Sequence, residues 1–116
     1  MDYFGLIPLA TNRIARYGDI TGGSGITRIT ASISTDTTGA AVAGKDYVYF
    51  ANGTLNYTQP TAVSNTNLYT IINSATGAIT ILLTSGQTIS GLTSLVLYAG
   101  DSVDIISDNS NWIIIG

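Results

Sequence analysis

Hydrophobic and polar residues alternate along much of this chain, and turn-forming residues interrupt the alternation at short intervals. The alternation is clearest at 54–58 and 78–84, where apolar side chains are separated by Thr or Asn. A period of two is typical of β-strands that are buried on one side. The predicted strands are 46–51, 54–59, 68–73, 78–84, 92–98, 101–107 and 112–116. Turn signals recur about every 8–12 residues with no helical period between them, which predicts an antiparallel β-sandwich or barrel. Of these we expect an all-β, antiparallel β-sandwich of jelly-roll-like type.

Two of the turns predict β-hairpins. Asn52-Gly53 separates the strands 46–51 and 54–59, and this pair favours a type I′ turn, in which both central residues have positive φ. The sequence SATG at 74–77 separates 68–73 from 78–84 in the same way. Upstream, 26–35 has an imperfect strand pattern, and the small residues at 36–44 predict a loop or a weak strand.

The first 25 residues differ from the rest of the chain. Pro8 and the run Gly22-Gly23-Ser24-Gly25 oppose a continuous helix. We therefore expect an extended N-terminal arm over 1–25, followed by a single β-sandwich domain over 26–116. The arm is too apolar to favour water, so its apolar and basic residues are expected to bind a partner surface. These candidate partner-binding residues are Phe4, Leu6, Ile7, Leu9, Arg13, Ile14 and Arg16.

Three segments are apolar on both faces of the predicted strand, namely 95–98, 104–107 and 112–115. A strand that is buried on both sides needs a second covering layer. Since no helix is predicted to supply that layer, we expect another subunit to do so. Two alternatives are that these residues cap the ends of the sandwich, or that the arm folds over them.

The amino-acid composition excludes several classes of function. The 116 residues include four Lys or Arg, seven Asp or Glu, no His and no Cys, which gives a net charge of −3. Disulfides, thiolate or imidazole metal sites and the usual nucleophile–base pairs are therefore excluded. So few basic residues disfavour nucleic acid as a partner, and no stretch reaches the roughly 18 apolar residues of a membrane span. We expect no enzymatic activity, no cofactor and no membrane insertion.

Two clusters could still bind a ligand. Asp101, Asp104 and Asp108 could supply oxygen ligands to calcium, although Asp101 and Asp108 also stand where side chains stabilise turns; the latter interpretation is favoured, and no metal site is predicted. Aromatic residues form the second cluster, which could be a subunit interface, a glycan-binding face or ordinary cross-strand packing. Its members are Tyr47, Tyr49, Tyr57 and Trp112.

Several short motifs in 44–116 carry a resemblance to a known family. They are Asn52-Gly-Thr-Leu, Gln59-Pro-Thr-Ala, Asn67-Leu-Tyr-Thr-Ile, Ile79-Thr-Ile, Ser85-Gly-Gln-Thr-Ile-Ser-Gly, the segment 99–108 and Asn111-Trp-Ile-Ile-Ile. In these motifs the chain resembles small β-rich modules of bacteriophage virion proteins, found at tail-fibre tips and in capsid decoration or head-fibre proteins. Because the motifs comprise turns and core positions, they indicate the fold more than the function.

The resemblance implies a homotrimeric β-sandwich on the surface of a virus particle. A short arm followed by one module suits a capsid decoration (cement) protein, whose arm would bind the major capsid protein or another virion protein of the phage head. The alternative is a tail-fibre or receptor-binding tip that recognises host glycans. A free carbohydrate-binding module is a third hypothesis.

Overall fold

The computed structural model describes residues 26–116, and every regular element among them is a β-strand. The predicted arm over 1–25 lies outside the described residues. The strands are β1 (Thr27–Ile33), β2 (Thr37–Thr38), β3 (Lys45–Ala51), β4 (Leu55–Thr58), β5 (Tyr69–Asn73), β6 (Ile79–Leu82), β7 (Ser94–Leu97), β8 (Ser102–Ser107) and β9 (Trp112–Ile114). The all-β prediction is confirmed, and the short β2 agrees with the loop or weak strand predicted for 36–44.

The strands form two sheets, and the chain passes back and forth between them. The five-stranded sheet has the order β1-β3-β5-β8-β9, and the four-stranded sheet has the order β2-β4-β6-β7. From β1 to β6 each strand of one sheet is followed by a strand of the other, so the chain winds through three coils. Within each sheet the coils stack in parallel, which is the arrangement of a short β-solenoid. Strands β7, β8 and β9 then close the stack with antiparallel pairings.

The two sheets agree with the predicted sandwich, whereas their topology corrects its antiparallel form. The first six strands pair only in parallel with one another, whereas a jelly roll is an antiparallel arrangement. Both predicted hairpins are wrong, because β3 and β4 lie in different sheets, and so do β5 and β6. Gly53 has the expected positive φ of 107°, but Asn52 does not share it, so the pair forms a corner between sheets instead of a type I′ turn.

The core lies between the two sheets and is built from the inward-facing residues of the coils. It consists of Ile33, Tyr47, Tyr49, Ala51, Leu55, Tyr57, Ala62, Tyr69, Ile71, Ile79, Ile81, Ile89, Leu97, Val103, Ile105 and Trp112. The inward positions alternate with outward ones along each strand, as the pleat requires. A single coil could not bury its apolar inner side alone. Stacking of the coils on one another therefore completes the core.

Buried amides fasten the ends of the coils. The side chain of Asn73 donates to the carbonyl oxygens of Gly77 at 2.6 Å and Leu97 at 2.9 Å. The side chain of Asn67 donates to Val42 O at 2.9 Å and accepts from the backbone N–H of Lys45 at 3.2 Å. Both amides are almost fully buried. They form hydrogen bonds with backbone groups at the corners, where the backbone does not pair within a sheet.

Trp112 offers a test of the core. Its side chain is fully buried, its ring meets Tyr69 edge-on at 5.2 Å, and its indole N–H donates to Pro60 O at 3.1 Å. Trp112→Ala should lower the free energy of unfolding by about 3–5 kcal/mol in urea titrations. Tyr98→Ala is the control, because the Tyr98 side chain is 65% exposed, and it should change stability by no more than about 0.5 kcal/mol. Equal effects of the two substitutions would contradict this packing.

Gly53 offers a test of the corner. Space around it is open, so a methyl group would meet no neighbour and the cost of a side chain comes from the positive φ alone. Gly53→Ala should destabilise the protein by about 1 kcal/mol or more. Thr76→Ala, at an exposed position in the turn after β5, should leave the urea midpoint nearly unchanged. An unchanged midpoint for Gly53→Ala would show that the corner does not require this backbone conformation.

Candidate functional site

The aromatic cluster proposed as a glycan face or subunit interface lies in the core. The exposed fractions are 4% for Tyr47, 6% for Tyr49 and 0% for both Tyr57 and Trp112. Both proposed surface roles are therefore wrong, and the alternative of cross-strand packing is correct. The physical reason is the parallel winding, which places the tyrosine side of β3 against the four-stranded sheet.

The aromatic rings stack along the coils. Tyr47 lies opposite Tyr69 in the β3–β5 pairing, and their ring centroids are 5.3 Å apart with an interplanar angle of 18°. Tyr49 contacts Tyr47 at 6.0 Å and Tyr57 at 5.1 Å. Such aromatic pairs contribute about 0.5–1.5 kcal/mol beyond their buried area, so the rings help to set the register between coils.

The tyrosine hydroxyls hold the loop that precedes β3. The backbone N–H groups of Ala40 and Val42 donate to the hydroxyls of Tyr49 at 2.8 Å and Tyr47 at 3.1 Å. The hydroxyl of Tyr69 donates to Ala40 O at 2.6 Å and accepts from the Asn65 side chain at 3.0 Å. These hydroxyls therefore form hydrogen bonds within the protein and are not available to bind a sugar.

Burial also changes the acidity of the tyrosines. It raises the pKa of Tyr57 well above the usual value of 10.0, and the neighbouring Tyr49 and Tyr69 add to the effect. Burial likewise raises the pKa values of Tyr49 and Tyr69, although hydrogen bonds from Ala40 and from Asn65 and Asn67 oppose it. The folded protein therefore favours the neutral phenols.

The aspartates serve the turns. Asp101 accepts from the backbone N–H of Tyr98 at 2.9 Å, and Asp108 accepts from Ser110 at 2.9 Å and Asn111 at 2.7 Å. The last two bonds hold the pKa of Asp108 below its usual value. The turn interpretation of Asp101 and Asp108 is confirmed, and within 26–116 no group of three or more acidic side chains is placed to hold a metal ion.

The outer face of the five-stranded sheet is the most distinctive surface of the described chain. Many of the side chains that point away from the core on β3, β5, β8 and β9, or just beside these strands, are aliphatic or aromatic, whereas the outward residues of β1 are Arg28, Thr30 and Ser32. We call this surface the apolar face; it consists of Val48, Phe50, Leu68, Ile72, Ile106, Ile113 and Ile115. Phe50, Ile106, Ile113 and Ile115 are 37%, 39%, 38% and 55% exposed, and the other three are half-buried.

Pairing of the strands brings these residues together. Phe50 lies opposite Ile72 across β3 and β5, and Ile106 lies opposite Ile113 across β8 and β9. Asp104 stands between these two pairs, opposite Thr70, whose hydroxyl donates to a carboxylate oxygen of Asp104 at 2.7 Å. Asp104 and Thr70 therefore separate the Phe50–Ile72 pair from the Ile106–Ile113 pair, so the apolar face is divided by a polar strip.

The outer face of the four-stranded sheet is more polar. Its outward positions are mostly hydroxyl or amide side chains, and they are Thr38, Asn56, Thr58, Thr80, Leu82, Ser94 and Val96. Only Leu82 and Val96 among them are apolar, with exposed fractions of 37% and 39%.

The sequence anticipated part of the apolar face. The two-sided segments 104–107 and 112–115 contribute Ile106, Ile113 and Ile115, whereas 95–98 belongs to the other sheet. The contribution of β3 was not among the predicted two-sided segments, although Val48 and Phe50 make 47–50 apolar on both faces.

A groove at one end of the molecule is a weaker candidate. It is lined by residues 64–67 and 106–109, and the two loops are joined by a hydrogen bond from the Ser64 N–H to the Asn109 side chain at 2.7 Å. No aromatic ring is among its lining residues, so it lacks the flat apolar platform on which a sugar ring stacks.

The remaining predicted site residues belong to the arm. Phe4, Leu6, Ile7, Leu9, Arg13, Ile14 and Arg16 lie outside the described residues. Among residues 26–116, no helix is long and apolar enough to cross a membrane. Comparison of the chain with protein-family models and with curated proteins gives no match.

The buried tyrosines predict loss of stability at alkaline pH. In the unfolded chain the hydroxyls of Tyr49, Tyr57 and Tyr69 ionise near the usual pKa of 10.0, whereas in the folded protein burial raises these pKa values. Above about pH 10 the unfolded state therefore binds fewer protons, and the free energy of unfolding falls as the pH rises.

Urea titrations between about pH 8 and 12 measure this fall, and absorbance at 295 nm reports tyrosinate formation. Tyr57→Phe should make the decline shallower, because one buried phenol is removed. A urea midpoint that stays constant across this range would contradict the role given to the buried phenols.

Proposed function

We propose that this protein is a structural component of a bacteriophage particle, which acts by assembling with other protein chains and not by catalysis. The observation that carries the proposal is the apolar face on a chain with only 9% charged residues. Exposed apolar patches of this kind mark protein association sites. The resemblance of 44–116 to virion β-modules supplies the biological setting.

The interior of the molecule supports a structural role. Several of its polar groups fix the shape: the phenols of Tyr47, Tyr49 and Tyr69 hold a loop, and the amides of Asn67 and Asn73 hold the corners. Stacked coils that are fastened in this way form a rigid body. Rigidity suits a component whose task is to present a fixed surface to its neighbours.

In its finer form the proposal is a homotrimeric capsid decoration protein on the surface of the virion. Residues 1–25 would attach it to the major capsid protein of the phage head, through Phe4, Leu6, Ile7, Leu9, Arg13, Ile14 and Arg16. Five aliphatic or aromatic side chains could contribute on the order of 7–15 kcal/mol on burial, and ordering the backbone would offset much of that. Several arms acting together would give firm attachment.

The alternative is a tail-fibre or receptor-binding tip that recognises host glycans. Its main support in the sequence was a tyrosine face, and those rings are buried. The decoration protein is therefore the better proposal for this chain.

A binding assay with particles tests the proposal. The full chain is mixed with capsids of the phage that encodes it, with and without its own copies of the protein, and bound protein is measured after sedimentation. We expect saturable binding to depleted capsids and little binding to fully decorated ones. Arg13→Ala/Arg16→Ala should weaken binding, while the surface control Thr80→Ala should not.

Two results would contradict the proposal. Absence of binding to depleted capsids would rule out decoration of the head. Specific adsorption to host cells or to a glycan array, without binding to capsids, would favour the receptor-binding alternative.

A further inference from the structure

We propose that Asn52 is a site of spontaneous covalent modification, at which the side-chain amide becomes an acid by way of a cyclic imide formed with Gly53. The site lies at the corner between β3 and β4. It is independent of the proposed function, because the reaction needs only water and the chain itself.

The reaction joins the Asn52 side chain to the peptide nitrogen that follows it. The Gly53 nitrogen attacks Cγ of Asn52, a new N–Cγ bond forms, the Cγ–Nδ2 bond breaks, and ammonia leaves with the proton that the nitrogen gives up. Water then opens the cyclic imide. Cleavage of the N–Cγ bond gives aspartate, whereas cleavage at the backbone carbonyl gives isoaspartate, in which the main chain runs through Cβ and Cγ.

The attacking nitrogen is free at this corner. Within residues 26–116 the Gly53 N–H donates to no acceptor, and the Asn52 carbonyl oxygen accepts from no donor. The peptide group can therefore turn its nitrogen toward Cγ without breaking a hydrogen bond to these residues. The space around Gly53 is open, and glycine has no Cβ to hinder the approach.

The amide that is attacked is accessible and polarised. Asn52 is exposed, and its Oδ1 accepts a hydrogen bond from the Ser74 hydroxyl at 3.0 Å; the same hydroxyl also lies 3.1 Å from Ala51 O. Negative charge develops on Oδ1 as the nitrogen adds to Cγ, and a donor aimed at developing charge lowers the barrier. We therefore expect the Ser74 hydroxyl to promote the reaction.

Asn73 provides a comparison within the chain, because it too is followed by a small residue. Its side chain is 1% exposed, and its amide donates to Gly77 O and Leu97 O. The Ser74 N–H donates to Ala51 O at 3.0 Å, so the nitrogen that follows Asn73 is held as well. In the folded protein Asn73 should therefore persist.

Asn109 separates exposure from the freedom of the nitrogen. It is exposed, and it is followed by Ser110, whose N–H donates to a carboxylate oxygen of Asp108 at 2.9 Å. Its own Oδ1 accepts from the Ser64 N–H at 2.7 Å. Asn109 therefore shares the exposure of Asn52 but not its free attacking nitrogen.

Conversion changes the charge and the backbone of the corner. Residues 47–100 contain no charged side chain, and each conversion adds one negative charge to a chain of net charge −3. The isoaspartate form also lengthens the main chain beside the bond from the Asn52 N–H to Ile33 O at 2.8 Å. We therefore expect the modified fraction to separate on anion exchange.

Peptide mapping of the aged full chain by mass spectrometry tests the site. The protein is incubated at mildly alkaline pH, either folded or unfolded in guanidinium chloride, and each asparagine is scored for conversion over time. Asn52 should convert at rates within several-fold of each other in the two states. Asn73 and Asn109 should convert about tenfold or more slowly in the folded state, because local opening must release their bonded groups first.

Two variants test the chemistry of the corner. Ser74→Ala should slow conversion of Asn52 several-fold in the folded protein and leave the unfolded rate unchanged. Thr76→Ala, at an exposed position in the same turn, is the matched control and should change neither rate. Circular dichroism confirms that both variants fold.

The rates decide the proposal without reference to capsids. Folding that slows Asn52 as strongly as it slows Asn73 and Asn109 would overturn the site. Equal or faster conversion in folded Ser74→Ala would overturn the role of the hydroxyl. Since these rates are measured on the isolated chain, they stand whether or not the protein binds to a phage head.

Discussion

The parallel register that sets Tyr47 against Tyr69 is the constraint on which the rest of the structure depends. Rings 5.3 Å apart must belong to successive coils that are stacked without a shift. The same register brings their hydroxyls to the loop before β3, where they bind Ala40 and Val42. A slip of one strand by one residue would turn its ring outward and would leave that ring's hydrogen bonds unmade.

This constraint acts on the inward positions and leaves the outward ones free. In the four-stranded sheet the free positions are mostly polar, which is the ordinary outcome for a surface. In the five-stranded sheet they include Phe50, Ile106 and Ile113, which cost solubility and give the interior nothing. The difference between the two outer faces is the reason for proposing that the chain works by association.

The sequence predicted the positions of the strands better than their partners. Turn residues such as Gly53 mark where the chain changes direction, and its positive φ followed from that. They do not say whether the next strand returns beside the last one or crosses to another sheet. Successive coils also differ in length, since Thr27 lies beside Lys45 but Tyr47 beside Tyr69, so no fixed repeat was visible. In the run 47–50 all four residues are apolar or aromatic, and the pattern alone could not tell the core side from the outer side.

The most direct test of the stacked coils is a set of nuclear Overhauser effects between β3 and its neighbours. The account predicts contacts between the rings of Tyr47 and Tyr69, together with backbone contacts of a parallel pairing between β3 and β5, such as Tyr49 with Ile71. It predicts no ladder of contacts between β3 and β4. Antiparallel contacts between β3 and β4 across Gly53, without contacts between Tyr47 and Tyr69, would contradict it.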